Sequence, residues 1–286
     1  MRGGMTSLAT TATMISNIPR GREVAQPMTT EQTPSASRPT GWPAALPHGR
    51  LLLDVSLWSA DLAALGVELD RTSGVADVVH FDIADGSFGP DLMFSPAMLA
   101  ALRPRTTVPF HAHLLARRPI ALIDAVTTAG ADLITVPAEI DDVARALHRI
   151  RDNGNAAGLA LGVDTRVVDA RPYLGAIDVL VVVCTPGGAR DAALTLAALR
   201  RLHAARRLVE ATGHQHTVRL LAEGGVGART VGPLSVAGVD GLITDLPVLG
   251  DDPAGTAQWL RSQRPAGRRP LPRPPRDGQG FTRRLP

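Results

Sequence analysis

The sequence predicts a single (β/α)8 barrel of the α/β class, and three observations predict it. Eight short apolar or β-branched runs recur along the chain: LLLDVSL (51–57), DVVHFDIA (77–84), VPFHAHLL (108–115), DLITVPA (132–138), AAGLALG (156–162), DVLVVVC (178–184), HTVRLLAEG (216–224) and DGLITD (240–245). Most are separated by stretches of helical period, and strands that alternate with helices form a parallel sheet. The eight units occupy about 200 residues, which suits a closed barrel better than an open sheet. A doubly wound open sheet is the competing architecture. It calls for a glycine-rich phosphate loop after its first strand, and Ser59-Ala60-Asp61 stands there instead.

The elements follow in order. After strand one, SADLAALGVELDRTSG carries a helical pattern, as do DDVARALHRIRDNG after strand four and DAALTLAALRRLHAARRLVEATG after strand six. The segment after strand five is short and predicts an abbreviated helix. With 44% apolar residues but only 3% aromatic ones, Leu, Val, Ile and Ala must fill the core. The barrel is expected over 46–260 as the catalytic domain. Residues 1–45, rich in Thr, Ser, Pro and Gly without a steady apolar period, read as a disordered leader. Residues 261–286 read as a disordered Arg/Pro-rich tail. That tail carries eight arginines against one aspartate, formally +7, which leaves −4 for the rest of a chain whose total is +3. The basic character thus belongs to the tail. With Phe281 its only aromatic, the tail offers no stacking platform, and no specific nucleic-acid partner is expected.

Every basic side chain is arginine. Without lysine there is no Schiff base and no ammonium acid, which argues against lysine-dependent aldolases and decarboxylases. The one cysteine, Cys184, lies in an apolar run and reads as a buried, inert thiol, so no internal disulfide forms and a cytoplasmic setting is expected. No apolar run reaches the roughly 18 residues a membrane helix requires.

In a barrel, chemistry sits at the C-terminal strand ends. Ser56 stands at the end of strand one, His80 and Asp82 at the end of strand two, His111 and His113 on strand three, and Glu223 at the end of strand seven. Residues two apart share a strand face, so each pair points one way. Polar pairs inside apolar strands need partners, because burying them alone is costly. Two imidazoles and two carboxylates could converge on one divalent cation, and that donor set suits zinc, manganese or iron. A buried hydrogen-bonding set without metal is the other reading.

Five segments carry a specific resemblance. VSLWSAD (55–61), HFDIADGSFGPDLMFSP (80–96), PFHAHLL (109–115), GADLITVPAE (130–139) and EGGVGARTV (223–231) resemble, in order, the motifs of the ribulose-phosphate 3-epimerase family. The most diagnostic is the second, similar to His-x-Asp-x-Met-Asp-Gly-x-Phe-x-Pro. The resemblance covers 51–250 and neither tail, and implies a divergent member with a ribulose-phosphate-binding type of TIM barrel. It puts His80, Asp82, His113 and Glu223 at the four metal positions, with one divalent ion, zinc first and manganese or iron next. It makes Asp82 and Glu223 the acid/base pair that moves a proton on a carbon next to a ketone, through an enediolate. Ser56, His111, Gly187, Gly188, Gly224, Gly225, Thr244 and Asp245 fall among the substrate-binding positions. A small sugar is the expected partner, with a homo-oligomer compatible with the family.

The chain also departs from the family pattern. Glu223 replaces an aspartate, one methylene shorter. Thr244-Asp245 replaces a Gly-Ser that grips phosphate, and a carboxylate repels phosphate unless neutralised, for instance by Arg229 or Arg190. CTPGGARD (184–191) replaces a longer covering loop. Ala84, Leu115 and Val183 replace pocket methionines, His111 replaces an aspartate and Pro137 a histidine. His111 has two further readings, support of a metal ligand and plain packing. The expected activity is therefore metal-dependent epimerisation or isomerisation of a ketose-like sugar other than ordinary ribulose 5-phosphate. A metal-dependent aldolase or lyase, or a silent binding barrel, are the alternatives.

Overall fold

A computed structural model describes residue 46 and residues 49–89, 91–186 and 193–263. The expected leader at 1–45, nearly all of the expected tail, and Gly187, Gly188 and Arg190 lie outside the described residues.

The strands are β1 (Leu52–Ser56), β2 (Val78–Asp85), β3 (Leu92–Met93), β4 (Phe110–Leu115), β5 (Leu133–Pro137), β6 (Ala156–Leu161), β7 (Val179–Val183), β8 (Arg219–Glu223) and β9 (Gly241–Asp245). All but β3 are parallel and pair in chain order, and β1 pairs with both β2 and β9, so eight strands close into a barrel. Each of the eight falls inside an apolar run of the sequence or within a residue of it. The two-residue β3 is an addition: it folds back antiparallel on the end of β2, setting Met93 opposite Ala84.

Among the described residues seven α-helices flank the barrel: α1 (Leu65–Ser73), α2 (Pro96–Leu102), α3 (Ile120–Thr128), α4 (Val143–Asp152), α5 (Leu196–Ala211), α6 (Val231–Ala237) and α7 (Pro253–Ser262). Their starts are written locally. Asp142 caps α4 by accepting from the Arg145 amide, and Thr195 caps α5 by accepting from the Ala198 amide. After β6 the expected short helix is a 3-10 segment, Val167–Tyr173, with Pro172 inside it. Arg201 of α5 reaches into this thin corner, donating to the carbonyls of Val183, Thr165 and Gly162. Among the described residues no helix is long and apolar enough to cross a membrane.

Strand alternation sorts the core into two layers. Leu53, Val55, Val79, Phe81, Phe110 and Leu114 face the helices in the larger apolar cluster. Leu52, Val78, Leu133, Val179, Leu221 and Ile243 form a smaller cluster inside the barrel, with Leu46 packed against it. The same inward parity carries Asp54 and Ser56, His80 and Asp82, and His111 and His113. Small residues make room for them. A Cβ on Gly158 would collide with Thr135 Oγ1, and one on Gly241 would lie 2.8 Å from Leu52 Cβ.

The N-terminal rim carries a device on alternate strands. Asp77, Asp132, Asp178 and Asp240 each precede a strand and accept from a backbone amide of the neighbouring strand: Leu53, Phe110, Ala157 and Leu220. Each also pairs with an arginine: Arg50, Arg103, Arg151 and Arg206. The carboxylates thereby fix the register of four strand pairs at the end away from the polar inward residues.

Candidate metal centre and active-site cavity

Register brings the polar positions level. Ser56 lies beside His80, His80 beside His111, Asp82 beside His113, and Ser56 beside Asp245. Since β2, β4 and β8 all point inward at this level, their side chains meet on the barrel axis.

His80, Asp82, His113 and Glu223 offer one donor atom each within 4.8 Å of one another. His80 Nε2 lies 3.1 Å from Asp82 Oδ1, His113 Nδ1 lies 3.3 Å from the same oxygen, and His113 Nδ1 lies 3.5 Å from Glu223 Oε2. An ion with tetrahedral bonds of 2.0–2.1 Å separates neighbouring donors by about 3.3 Å, so the spacing suits one shared cation. A second observation agrees. Both ring nitrogens of His113 and Oε2 of Glu223 are buried without a hydrogen-bond partner among the described residues. Nδ1 of His113 thus nears two carboxylates without hydrogen-bonding geometry to either, as donors aimed at a common centre do. The residues fit a divalent ion held by two nitrogens and two oxygens.

Before an ion binds, burial and charge pull these groups apart. Burial pushes the Asp82 carboxyl up, but His80 and His113 more than reverse this and hold it well below the carboxylate range. Burial pushes Glu223 up, and the Asp82 charge adds to the rise against the opposing pull of His113. Burial would lower His80 and His113, yet the carboxylates of Asp82 and Asp54 raise the first and those of Glu223 and Asp82 the second. One carboxyl held low beside one pushed up is the inequality that acid/base chemistry uses.

A cavity of about 750 Å³ opens above the cluster. Ser56, Asp82, Glu223, Gly224, Gly225, Thr244 and Asp245 line it, with Leu115 and Val183 where the family has methionines. The Ser56 hydroxyl accepts from the Trp58 amide at 3.1 Å and lies 3.5 Å from Asp82 Oδ2. Gly224 and Gly225 have φ of 86° and 68°, a left-handed conformation that glycine alone adopts cheaply. Thr244 Oγ1 is buried without a hydrogen-bond partner among the described residues. Arg229, Thr185 and Trp58 also line the cavity. Trp58 and Thr185 escaped the sequence reading, because a lone Trp or Thr in a loop has no pattern that distinguishes it.

His111 departs from its expected place. Its side chain is fully buried and does not line the cavity, because its strand position sits one inward pair below His113, level with the fully buried His80. There Nδ1 lies 2.6 Å from Asp54 Oδ2 and Nε2 lies 2.7 Å from Thr135 Oγ1. Among the described residues it thus neighbours His80 and Asp54 rather than the cavity wall expected of a substrate contact. Asp54 was missed altogether. Its signal was present: an acid inside the apolar run LLLDVSL, two residues before Ser56 and so on the same face.

Residues 52–248 match the ribulose-phosphate 3 epimerase family. The chain belongs to that family. It is 30% identical over 197 residues to the ribulose-phosphate 3-epimerase of Bacillus subtilis, covering 68% of this chain and 90% of that one. It is 33% identical over 201 residues to ribulose-phosphate 3-epimerase 1 of Cupriavidus necator, covering 68% of this chain and 83% of that one. The barrel also resembles the crystal structure of 3-hexulose-6-phosphate synthase from Salmonella typhimurium, with a TM-score of 0.55 and 18% identity over 74% of this chain and 98% of that one. At that identity the likeness is one of fold. As a family member with a cluster compatible with a divalent cation, the chain is an enzyme of the ribulose-phosphate-binding barrels.

Proposed function

We propose that this enzyme is a metal-dependent epimerase or isomerase of a ketose-like sugar, and that ordinary ribulose 5-phosphate is not its substrate. The observation that carries the reading is the position of Asp82 and Glu223: both belong to the four-donor cluster and both line the cavity. His80, Asp82, His113 and Glu223 would hold the ion, and zinc suits their two imidazoles and two carboxylates best, ahead of manganese or iron. A bound ion supplies a Lewis acid for the oxyanion that develops on the substrate carbonyl.

The chain's own residues do the rest. Asp82 on β2 and Glu223 on β8 approach the cavity from different strands. One carboxylate takes the proton from the carbon beside the carbonyl, leaving an enediolate, and the other carboxyl returns a proton to the opposite face. The roles exchange when the reaction runs backward. Ser56, next to Asp82, offers a hydroxyl to the sugar, Thr244, whose Oγ1 is buried, meets it through its backbone, and Gly224 and Gly225 let the chain pass close to it. Asp245 places a carboxylate on the wall where a phosphate grip would lie, which favours a sugar hydroxyl there.

Exchange of the substrate α-proton with deuterium from the solvent tests this reaction, using a panel of ketoses and ketose phosphates. Asp82→Asn and Glu223→Gln should each slow exchange by about 10²–10⁴-fold, the usual worth of a positioned acid or base. Unchanged exchange in both variants would defeat the mechanism. Asp245→Ser should tighten binding of phosphorylated sugars, and no gain would count against the account of substrate choice.

A further inference from the structure

We propose that Asp54 is the positioning residue for His80, fixing its ring so that Nε2 faces the ion, with His111 and Thr135 holding Asp54 and its neighbour in place. The inference rests on His80 being a metal ligand, as proposed above.

The geometry runs across four strands. Asp54 on β1 is fully buried, as are His80 on β2, His111 on β4 and Thr135 on β5. Asp54 Oδ2 lies 2.6 Å from His111 Nδ1 and 3.5 Å from His80 Nδ1, and the two Nδ1 atoms are 3.1 Å apart. On the far side of His80, Nε2 faces Asp82 and the cluster centre. These three groups could be mistaken for a second cation site, since their donor atoms cluster. The 2.6 Å separation argues otherwise, because two ligands of one small ion stand about 3.3 Å apart, whereas 2.6 Å is a hydrogen bond to a carboxylate.

The protons then follow from valence. A carboxylate only accepts, so His111 donates from Nδ1 to Asp54. A neutral His111 therefore accepts at Nε2, and the Thr135 hydroxyl, 2.7 Å away, is its donor. His80 must present a lone pair at Nε2 to hold an ion, so its proton sits on Nδ1, the nitrogen turned toward Asp54. Both Nδ1 atoms therefore face the same Asp54 oxygen, His111 as a 2.6 Å hydrogen bond and His80 as a charge-range contact at 3.5 Å. A histidine ligand whose second nitrogen donates to a carboxylate has its tautomer and ring angle fixed, and is more basic toward the ion.

Two further features favour a purpose over packing. Asp54 Oδ1 has no hydrogen-bond partner among the described residues, so the buried carboxylate is engaged through the imidazoles. Such a charge is costly to bury, and the rings and the ion they serve are what answer it. Gly158 on β6 leaves the space that the Thr135 hydroxyl occupies, so the chain reaches a fifth strand.

The test uses the full chain and zinc or cobalt alone. Zinc affinity is measured by competition with a chromophoric chelator for the wild type, Asp54→Asn, Thr135→Val and a His80→Ala control. The cobalt-substituted absorption spectrum and the metal-free melting temperature accompany each. Asp54→Asn should weaken zinc binding by about 10–100-fold and shift the cobalt bands. Thr135→Val should weaken binding less, by a few-fold. A merely structural Asp54 would change the metal-free melting temperature and leave both affinity and spectrum alone. Folded Asp54→Asn with wild-type zinc affinity and spectrum overturns the inference. Should that variant fail to fold, Thr135→Val with unaltered affinity and spectrum overturns it. Wild-type chain that binds no zinc defeats the metal centre itself, and this inference with it. Zinc binding that is lost in His80→Ala yet untouched in Asp54→Asn defeats the positioning role alone.

Discussion

Gly158 shows how tightly the inward residues are fitted. Its missing side chain is the space of the Thr135 hydroxyl, and any Cβ there would collide with it. Gly158→Ala should therefore destabilise the fold by about 1–3 kcal/mol through overpacking. Urea denaturation checks this, and Thr135→Ala in the same chain should return part of the loss. If Gly158→Ala is neutral, the crowding is not real. Cys184 illustrates a residue that the chemistry leaves aside. Burial pushes its thiol up to about 12, with the Glu223 charge adding to the rise and Arg201 opposing it. Since the thiolate is the nucleophile and a raised pKa keeps the thiol protonated below that value, Cys184 in folded protein should resist iodoacetamide even at about pH 9. Labelling followed by mass spectrometry decides it, and rapid modification of the native protein would contradict the assignment.

Among the elements, the rim carboxylates before β2, β5, β7 and β9 do similar work in unequal surroundings. Asp240 and Arg206 have side chains only 6% and 8% exposed, whereas Arg151, the partner of Asp178, is 42% exposed. Removing one member of a buried pair strands the other without solvent, so Asp240→Ala should cost about 3–5 kcal/mol. Asp178→Ala leaves an arginine that water can reach, and its cost should stay clearly smaller. Denaturant midpoints of the two variants give the ranking, and equal losses would refute the explanation by burial. The corner after β6 is held in another way. There a 3-10 segment replaces a full helix, and the Arg201 guanidinium satisfies carbonyls that a longer helix would otherwise cover.

For the molecule as a whole, an ion held by His80, Asp82, His113 and Glu223 would tie β2, β4 and β8 together across the barrel axis. An ion that binds only the folded chain stabilises it by mass action, by about 2.7 kcal/mol when present at a hundred times its dissociation constant. Stripping it with a chelator should lower the melting temperature by roughly 5–11 °C for a domain of this size. Calorimetry with and without chelator checks this. An unchanged transition would mean that the four donors hold no ion.

Much of this was legible in the sequence. The spacing of short apolar and β-branched runs between helical stretches located all eight barrel strands, because both patterns are local properties of the chain. His80 and Asp82, or His111 and His113, could be put on one face by counting. Glu223, far along the chain, could be joined to them because it too ends a barrel strand, and the ordered motifs then put His80, Asp82, His113 and Glu223 at the four metal positions. The rest depended on register and closure. Whether His111 meets the sugar or is buried beside His80 turns on which rung of β4 sits beside β2, and no local pattern records that. Asp54 becomes a partner of two histidines only because β1 closes the barrel next to β2, and four separate Asp–Arg pairs become a rim only when alternate strands stand level. The sequence by itself determined which residues point inward, since that follows from the chemistry of neighbours along the chain. Which of those inward residues touch was decided by the tertiary structure, because contact across a closed barrel is set by the stagger of strands that meet only after folding.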